Sequence, residues 1–432
     1  MYFNDLEPLE NIIDTIVCDD EILITDEVML LDFMESTLEL IYEYINENPT
    51  LITEPDFHDI CITEIHDICL TQFENTYLLN DSFEEELFAY IEEAFEIVYS
   101  SFFPKRSFDS SIIINEPNVS FITDKITELI RQPQHIQRSP EWYDFRHNLI
   151  TASNAHKIFG SVCSQNQIIY EKCQPIILND SEKEVNVNTT LHWGQKYEPI
   201  SIMFYEDKYN TEIKEFGCIK HSKYDFLGAS PDGINIKQDS QRYGRMLEVK
   251  NIVNREIDGI PKKEYWIQMQ LQLETCNLDE CDFLETKFVE YENEMAFNED
   301  GDDFIKPITG EMKGIIMYFS KINCVPIYIY KPLHMNKYEF EIWESEQMKI
   351  HSEDNWIKNI YWKLEKYSCV LVLRNNIWFK DNIDEIQQLW NIIINERNKG
   401  YHHRAPTKKH KKDEPPTTCL LTIHKDSDNI TY

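Results

Sequence analysis

The 432-residue sequence predicts an α/β core that lies between an acidic helical domain and a helical C-terminal extension. Three observations predict this arrangement. Acidic residues are concentrated at the front of the chain, helical periodicity dominates both ends, and the middle alternates helix-like segments with short strand-like ones. Apolar residues make up 42% of the chain, which is enough to fill buried cores and excludes a wholly disordered protein.

The front of the chain, residues 1–104, is strongly acidic. It carries 27 Asp and Glu and no Lys or Arg, and so holds most of the formal net charge of −36. Apolar side chains recur at helical spacing over 27–46 and again over 83–98, with acidic residues between them. The pattern predicts an acidic helical domain over 1–104, followed by a polar linker over 105–120.

The middle of the chain, residues 121–335, mixes helix and strand signals. Ser139 followed by Pro140 is typical of a helix start. Thr151 or Ser153 can cap a short second helix that ends near Gly160. The other predicted elements are strands over 226–236 and 245–250, a helix over 262–276, and a hairpin of strands over 313–320 and 324–331.

The end of the chain contains two segments of different composition. Residues 336–398 have a helical pattern with tryptophans as anchors, which predicts a helical extension, and residues 399–432 are predicted to form a basic flexible tail. The stretch 397–412 holds seven Lys and Arg and no acidic residue. Such a run either contacts phosphate groups without sequence preference or is simply solvated.

The eleven cysteines are scattered and include no C-x-x-C pair, which excludes a disulfide framework and zinc-finger spacing. The N-terminus lacks the basic region of a signal peptide, and no apolar run approaches the roughly 20 residues of a membrane helix. We therefore expect a soluble intracellular protein without a membrane partner.

The residues that suggest chemistry are Asp232 and, sixteen positions later, Glu248-Val249-Lys250. If both segments are strands, Glu248 and Lys250 share one face, and Asp232 lies beside them. Two carboxylates and a lysine suit metal-assisted phosphodiester hydrolysis, with the backbone carbonyl of Val249 as an extra ligand. The alternative is an ordinary surface hairpin with a Glu–Lys pair and a turn aspartate.

Several ordered segments resemble one nuclease family. They are Arg138–Arg146, Ile150–Ser153, Trp193–Pro199, Phe226–Gly233, Leu247–Lys250 and Tyr265–Gln270. Together they resemble the YqaJ-like viral recombinases, relatives of lambda exonuclease within the PD-(D/E)XK superfamily, over about 138–290. The resemblance implies a restriction-endonuclease-like core, with a central mixed sheet flanked by helices.

The resemblance also implies roles for individual residues. Asp232, Glu248, Glu198 and the Val249 carbonyl would hold Mg²⁺, or alternatively Mn²⁺. Lys250 would be the catalytic lysine, and Gln268 would line the site near the attacked phosphate. Arg146 and Ser153 would bind a 5′-terminal phosphate. Plainer interpretations stay open: a helix start or kink at Glu198-Pro199, an ion pair of Arg146 with Glu141 or Asp144, an N-cap at Ser153, and Gln270 or Gln272 in place of Gln268.

The implied function is Mg²⁺-dependent hydrolysis of double-stranded DNA from a 5′ end, in viral recombination, repair or replication. The alternatives are an endonuclease or 3′-acting nuclease of the same fold, and a non-catalytic DNA-end-binding or scaffold protein. Expected partners are DNA ends, a single-strand annealing protein and further copies of the chain in a trimer. The sequence of the second half is similar to that of homologues from giant DNA viruses, which implies a host-cytoplasm location or packaging in the virion.

The acidic domain then has three candidate roles. It could be a solvating cap, a docking domain for a basic partner, or a polyanion that shields the nuclease cleft from DNA.

Overall fold

The computed structural model describes residues 27–48, 57–74, 81–101, 107–111, 113, 117–137, 139–176, 186–257, 259–301, 303–321 and 325–406. The helices are α1 (Glu27–Glu47), α2 (Phe57–Glu74), α3 (Asp81–Ser101), α4 (Val119–Arg131), α5 (Pro140–His147), α6 (Ala152–Ala155), α7 (Val162–Cys173), α8 (Thr190–Tyr209), α9 (Lys263–Cys276), α10 (Glu294–Glu299), α11 (Lys337–Ile350) and α12 (Asn376–Lys399). The strands are β1 (Phe108–Asp109), β2 (Ile150–Thr151), β3 (Ile213–Lys214), β4 (Ile219–Lys220), β5 (Leu227–Ala229), β6 (Gly233–Asn235), β7 (Met246–Asn251), β8 (Glu280–Glu290), β9 (Met312–Ser320), β10 (Pro326–Tyr330) and β11 (Asn355–Leu373).

Helices α1, α2 and α3 form a bundle with an apolar core of its own. Ile41 of α1, Ile65 of α2 and Leu87 and Ile91 of α3 are completely buried in that core. The helices predicted over 27–46 and 83–98 are therefore confirmed. Residues 1–26 of the predicted acidic domain lie outside the described residues. The predicted linker over 105–120 is partly ordered structure, because Phe108 and Asp109 form β1 and α4 begins at Val119.

The central sheet has the order β10-β9-β11-β8-β7-β6-β3, and β1 adds to β11. It is mixed, because β7 and β8 run parallel while the neighbouring pairs β6–β7 and β8–β11 run antiparallel. Helix α9 makes the crossover between β7 and β8. A smaller sheet has the order β2-β5-β4. The predicted central mixed sheet flanked by helices is confirmed.

The two faces of β7 serve different purposes, as strand alternation requires. Leu247 and Val249 point into an apolar cluster with Tyr197 and Phe204 of α8. Glu248 hydrogen-bonds to side chains of α9, which covers the opposite face. The short strand therefore buries an apolar face and presents a polar one.

The prediction of a helical extension over 336–398 was wrong for its middle part. Helices α11 and α12 are present, but residues 355–373 form β11, which pairs with both β8 and β9 inside the central sheet. Ile360, Trp362 and Leu364 alternate inward along this strand, and all three are buried. Gly314 of β9 gives room to the Trp362 ring, since a Cβ at that position would lie 2.5 Å from it.

The predicted tail begins later than the sequence indicates. Tyr401 packs against Tyr170 of α7, with ring centroids 5.6 Å apart, and Arg404 forms a salt bridge with Glu396. Arg397, counted in the basic run, belongs to α12. Lys408, Lys409, Lys411 and Lys412 lie outside the described residues. Across the described ranges, no helix combines the length and apolar character needed to cross a bilayer.

Candidate active site

The predicted core motif comes together where β6 and β7 pair. Gly233 lies opposite Leu247, and this register places Asp232 next to the backbone of Val249. The Val249 amide donates to Asp232 Oδ2 at 2.7 Å. Gly233 leaves space for the neighbouring strand on the other side, because a Cβ there would lie 2.1 Å from Ile213 of β3. The predicted juxtaposition of Asp232 with the Glu248–Lys250 strand is therefore present.

Glu248 is almost fully enclosed, with 1% of its surface exposed. Its Oε1 accepts hydrogen bonds from the Lys250 ammonium and from Gln268 Nε2, the latter at 2.6 Å. Its Oε2 accepts from Gln272 Nε2 at 2.7 Å. Three donors thus fix the orientation of one buried carboxylate, which is unlike an ordinary exposed Glu–Lys pair on a hairpin.

The glutamines of α9 divide as their helical spacing requires. Gln268 and Gln272 are four residues apart and reach the same carboxylate. Gln270 points elsewhere, donating to the Leu373 carbonyl at 2.8 Å and accepting from the Asn375 amide at 2.6 Å. Gln272 is a site residue that the sequence prediction left as an alternative to Gln268. Both belong to the group.

Burial and neighbouring charges shift the pKa values of Asp232 and Lys250. Burial raises the pKa of Asp232 well above its ordinary value, and the neighbouring Glu248 and Glu198 carboxylates raise it further. Burial alone would lower the pKa of Lys250, but the Glu248 and Asp232 carboxylates outweigh it and raise that pKa. Lys250 is therefore a protonated donor at neutral pH.

Glu198 lies in α8 and shares a cleft of about 260 Å³ with Asp232, Ser230 and Trp142. Thr189 caps the start of α8 by accepting from the His192 amide at 3.1 Å, so Glu198 is well inside the helix and does not mark its start. Within the part of the chain that the structure describes, His, Cys, Asp and Glu side chains form no ready-made metal cluster of three or more.

Arg146 reaches this cleft from the end of α5. Its guanidinium donates to Ser230 Oγ at 3.2 Å and lies 4.6 Å from the centre of the Trp142 ring. Two cations lie behind it. Lys172 donates to the Arg146 carbonyl at 2.7 Å, and Arg397 donates to the Lys172 carbonyl at 2.9 Å. Burial, with Arg146 and Arg397 nearby, lowers the pKa of Lys172 to about 8.

Ser153 is the predicted partner of Arg146 in binding a 5′-phosphate. Ser153 is exposed in the first turn of α6, where Thr151 and not Ser153 occupies the N-cap position. Its hydroxyl lies 3.5 Å from Thr151 Oγ1. Among the described residues, no hydrogen bond joins Ser153 to Arg146. Arg138, the first residue of the opening motif, lies outside the described residues.

The family comparison agrees with this geometry. Residues 141–279 match the model of the YqaJ-like viral recombinase domain. The chain carries a YqaJ-like domain. Every candidate site residue from Arg146 to Gln272 lies within it. The site is therefore contained in the domain, whereas Arg397 contacts it from outside.

Similarity extends beyond the YqaJ-like domain. The chain is 29% identical over 385 residues to an uncharacterised protein of Acanthamoeba polyphaga mimivirus, covering 81% of this chain and 69% of that protein. The predicted giant-virus homologue is confirmed by this match.

Two solved structures are also similar. An alkaline exonuclease from Laribacter hongkongensis shares 17% identity with a TM-score of 0.33, over 61% of this chain and 95% of its own. A phage-related exonuclease from Haemophilus somnus shares 12% identity with a TM-score of 0.32, over 61% of this chain and 99% of its own.

Proposed function

We propose that this chain is a metal-dependent deoxyribonuclease that digests double-stranded DNA from a 5′ end. The observation that carries the proposal is the buried Glu248 carboxylate, held by Lys250, Gln268 and Gln272 beside Asp232. Because this carboxylate lies inside a YqaJ-like domain, a nuclease site is favoured over an ordinary surface hairpin. We place its role in viral DNA recombination, repair or replication in the host cytoplasm, since the matched domain is described as that of viral recombinases and one relative comes from a mimivirus.

The donor set fits a divalent cation of the Mg²⁺ or Mn²⁺ type. Asp232, Glu248, Glu198 and the Val249 carbonyl would hold it, and all are oxygen donors. A carboxylate offers about four accepting positions, and three donors occupy Glu248, so it retains capacity. Burial and the neighbouring carboxylates raise the pKa of Asp232, and a bound cation would favour its charged form. When bound, such an ion stabilises charge on the phosphate and activates water.

The chain's own residues supply orientation and charge. Lys250 is protonated, so its ammonium can donate to a phosphate oxygen or to the attacking water but cannot accept a proton first. Gln268 holds Glu248 from the α9 side and is positioned to orient the same water. Both groups sit on regular elements, β7 and α9, which limits their freedom to move during hydrolysis.

The 5′ polarity rests on Arg146. Its guanidinium donates a hydrogen bond to Ser230, which lines the cleft, and a guanidinium pairs well with a terminal phosphate. Lys172 and Arg397 add positive charge behind it. A 5′-phosphate held there would place the first phosphodiester near Asp232, because Ser230 and Asp232 are separated only by Pro231.

The deciding experiment compares wild type with Lys250→Ala on linear and covalently closed duplex DNA, with Mg²⁺ or Mn²⁺. We expect digestion of linear DNA by wild type only, with Lys349→Ala on the exposed face of α11 as a matched control that stays active. Cleavage of closed circles would indicate an endonuclease. DNA binding with no cleavage by any variant would indicate a scaffold protein.

Polarity is tested by ends that differ in one phosphate group. Arg146→Ala should slow digestion of 5′-phosphorylated ends by about tenfold or more, since a charged hydrogen bond is worth about 1.5–3 kcal/mol. Digestion of 5′-hydroxyl ends should change little. An equal loss on both ends would remove the basis for the 5′ assignment.

A further inference from the structure

The cleft beside Asp232 is lined by two chemical classes of side chain. The carboxylates come from α8, from the segment after β3 and from the segment before β6, and they belong to Glu198, Glu215 and Asp232. Planar amide, imidazole and indole groups come from a single stretch of chain, and they belong to Gln134, His135, Gln137 and Trp142. We call this stretch, residues 134–142, the planar side of the cleft. Carboxylates suit a cation and its phosphate, whereas planar groups suit a nucleobase.

The loop between α4 and α5, which carries most of the planar side, is fixed in place by Gln134. The Gln134 Oε1 accepts a hydrogen bond from the Gly217 amide at 2.8 Å, and its Nε2 donates to the Leu129 carbonyl at 3.1 Å. Gly217 itself lines the cleft, and a Cβ there would lie only 3.3 Å from the Gln134 Cβ and 3.4 Å from the His135 carbonyl oxygen. The loop is therefore held closely against residue 217.

His135 is the aromatic residue of this loop. It is half-buried, and its imidazole packs against the Phe145 ring of α5, with centroids 5.0 Å apart and planes inclined by 51°. Within the described ranges, no hydrogen bond engages the imidazole. Trp142 lies on α5 as well and also lines the cleft. The planar side thus contains two aromatic side chains, one from the loop and one from the helix that carries Arg146.

The two phosphates of the proposed substrate determine where its first base would lie. Arg146 donates to Ser230, and Asp232 follows two residues later, so a 5′-phosphate and the first phosphodiester would both lie along 230–232. The nucleoside between those phosphates would have its base beside the rest of the lining, which is the planar side. Histidine and tryptophan are both side chains on which bases stack.

We propose that His135 contacts the substrate, and that its imidazole stacks on the base of the 5′-terminal nucleotide. The inference rests on the proposed nuclease function and specifies how the cleft positions the nucleotide that is released. Because every base has a flat face, such a contact holds any terminal nucleotide without sequence preference. The loop precedes residues 141–279, so the contact comes from outside the YqaJ-like domain.

Two small ligands that differ in the base test this contact in the full-length chain. Thymidine 5′-monophosphate carries a base, and 2-deoxyribose 5-phosphate has none. A base–aromatic contact is worth roughly 5- to 150-fold in affinity. In calorimetric titrations with Mg²⁺, wild type should therefore bind the nucleotide at least about fivefold more tightly than the sugar phosphate, and His135→Ala should lower this ratio about fivefold or abolish it.

Matched variants separate stacking from other roles of the residue. His135→Phe keeps an aromatic ring and should keep most of the affinity ratio. Ile136→Ala changes the next residue of the same loop, which is 82% exposed, and should leave the ratio unchanged. Affinity for 2-deoxyribose 5-phosphate should be equal in all of these proteins, because none of the changes touches the groups proposed to hold phosphate.

The same contact should be visible in DNA digestion. Duplex ends would carry a 5′-phosphate on either a normal or an abasic terminal nucleotide. Wild type should release the normal nucleotide about fivefold or more faster than the abasic one. His135→Ala should lose most of this preference, with little change on abasic ends. A purely structural role of His135 would slow both ends equally.

The results that would overturn the proposal differ from those that would overturn the nuclease function. Equal affinity of wild type for the two ligands, or no binding of either, would remove the base contact. A His135→Ala loss that is the same for both ligands would reduce the residue to a support for Phe145. A loss in His135→Phe as large as in His135→Ala would replace stacking by a polar contact. Absence of DNA digestion, together with base-dependent binding by wild type, would reject the nuclease function and leave the contact standing.

Discussion

Gln272 provides the most specific test of the site, because it was not singled out by the sequence. Its side chain is completely buried, and its Nε2 donates to Glu248 Oε2 at 2.7 Å and to the Ser230 carbonyl at 3.1 Å. Replacing it by leucine keeps the volume and removes both hydrogen bonds. Glu248 would then be held only through Oε1, by Lys250 and Gln268.

The expected size of the effect follows from the type of hydrogen bond. A hydrogen bond to a charged group is worth about 1.5–3 kcal/mol. If that energy orients Glu248 for the reaction, Gln272→Leu should slow digestion of linear DNA about 10- to 150-fold, at 1.36 kcal/mol per factor of ten. The assay is the initial rate with saturating Mg²⁺, alongside unfolding in urea.

Gln270→Leu is the matched control, two residues along the same helix. It loses hydrogen bonds to Leu373 and Asn375, so its free energy of unfolding should also fall by about 1–3 kcal/mol. Its rate per folded molecule should stay near that of wild type. Equal rate losses in both variants, or a fully active Gln272→Leu, would refute the role given to Gln272.

Four further predictions concern charge, support and domain limits. Asp232→Asn should abolish activity and raise the free energy of unfolding. The pKa of Asp232 is raised in the folded state, so in wild type its ionisation lowers the free energy of unfolding as the pH rises through that folded pKa. The gain over wild type should vanish below about pH 4, and Mg²⁺ should raise the unfolding temperature of wild type only. Arg397→Ala should reduce the rate ratio between 5′-phosphorylated and 5′-hydroxyl ends, since Arg397 supports the end of α5, which carries the proposed phosphate ligand. Trp362→Ala should lower the free energy of unfolding by about 3–5 kcal/mol in urea titrations, because this ring is 1% exposed. A piece limited to 121–335 should be insoluble on expression, while 105–406 should be soluble and bind DNA.

The sequence was sufficient where the determinants are local. The alternation of Leu247, Glu248 and Val249 along a short strand assigns their faces without reference to distant segments. Helical spacing likewise put Gln268 and Gln272 on one face. Whether both glutamines reach Glu248 depends on the distance and angle between α9 and β7, which no local pattern encodes.

Strand β11 shows where local patterns were misleading. Its tryptophans were interpreted as helix anchors, although Ile360, Trp362 and Leu364 alternate inward and aromatic residues favour strands. A register shift between Leu364 and Lys366 interrupts this alternation. Beyond the irregularity the inward positions change parity, so that Val370 and Val372 pack in the cluster on the other face. The sequence of this one strand therefore lacks an unbroken alternation of residues between the two faces of the sheet.

The position of β11 changes what counts as the catalytic unit. It pairs along the whole of β8, whose other edge carries β7 and the Glu248–Lys250 pair. From its end, Arg374 forms a salt bridge with Glu274 of α9, and α12 returns to place Arg397 against α5. The segment that follows the YqaJ-like domain thus supports both sides of the cleft. Without it, β8 would expose a long row of unpaired backbone N–H and C=O groups to other chains. We therefore expect the site residues to form a cleft only when residues up to about 400 fold with them.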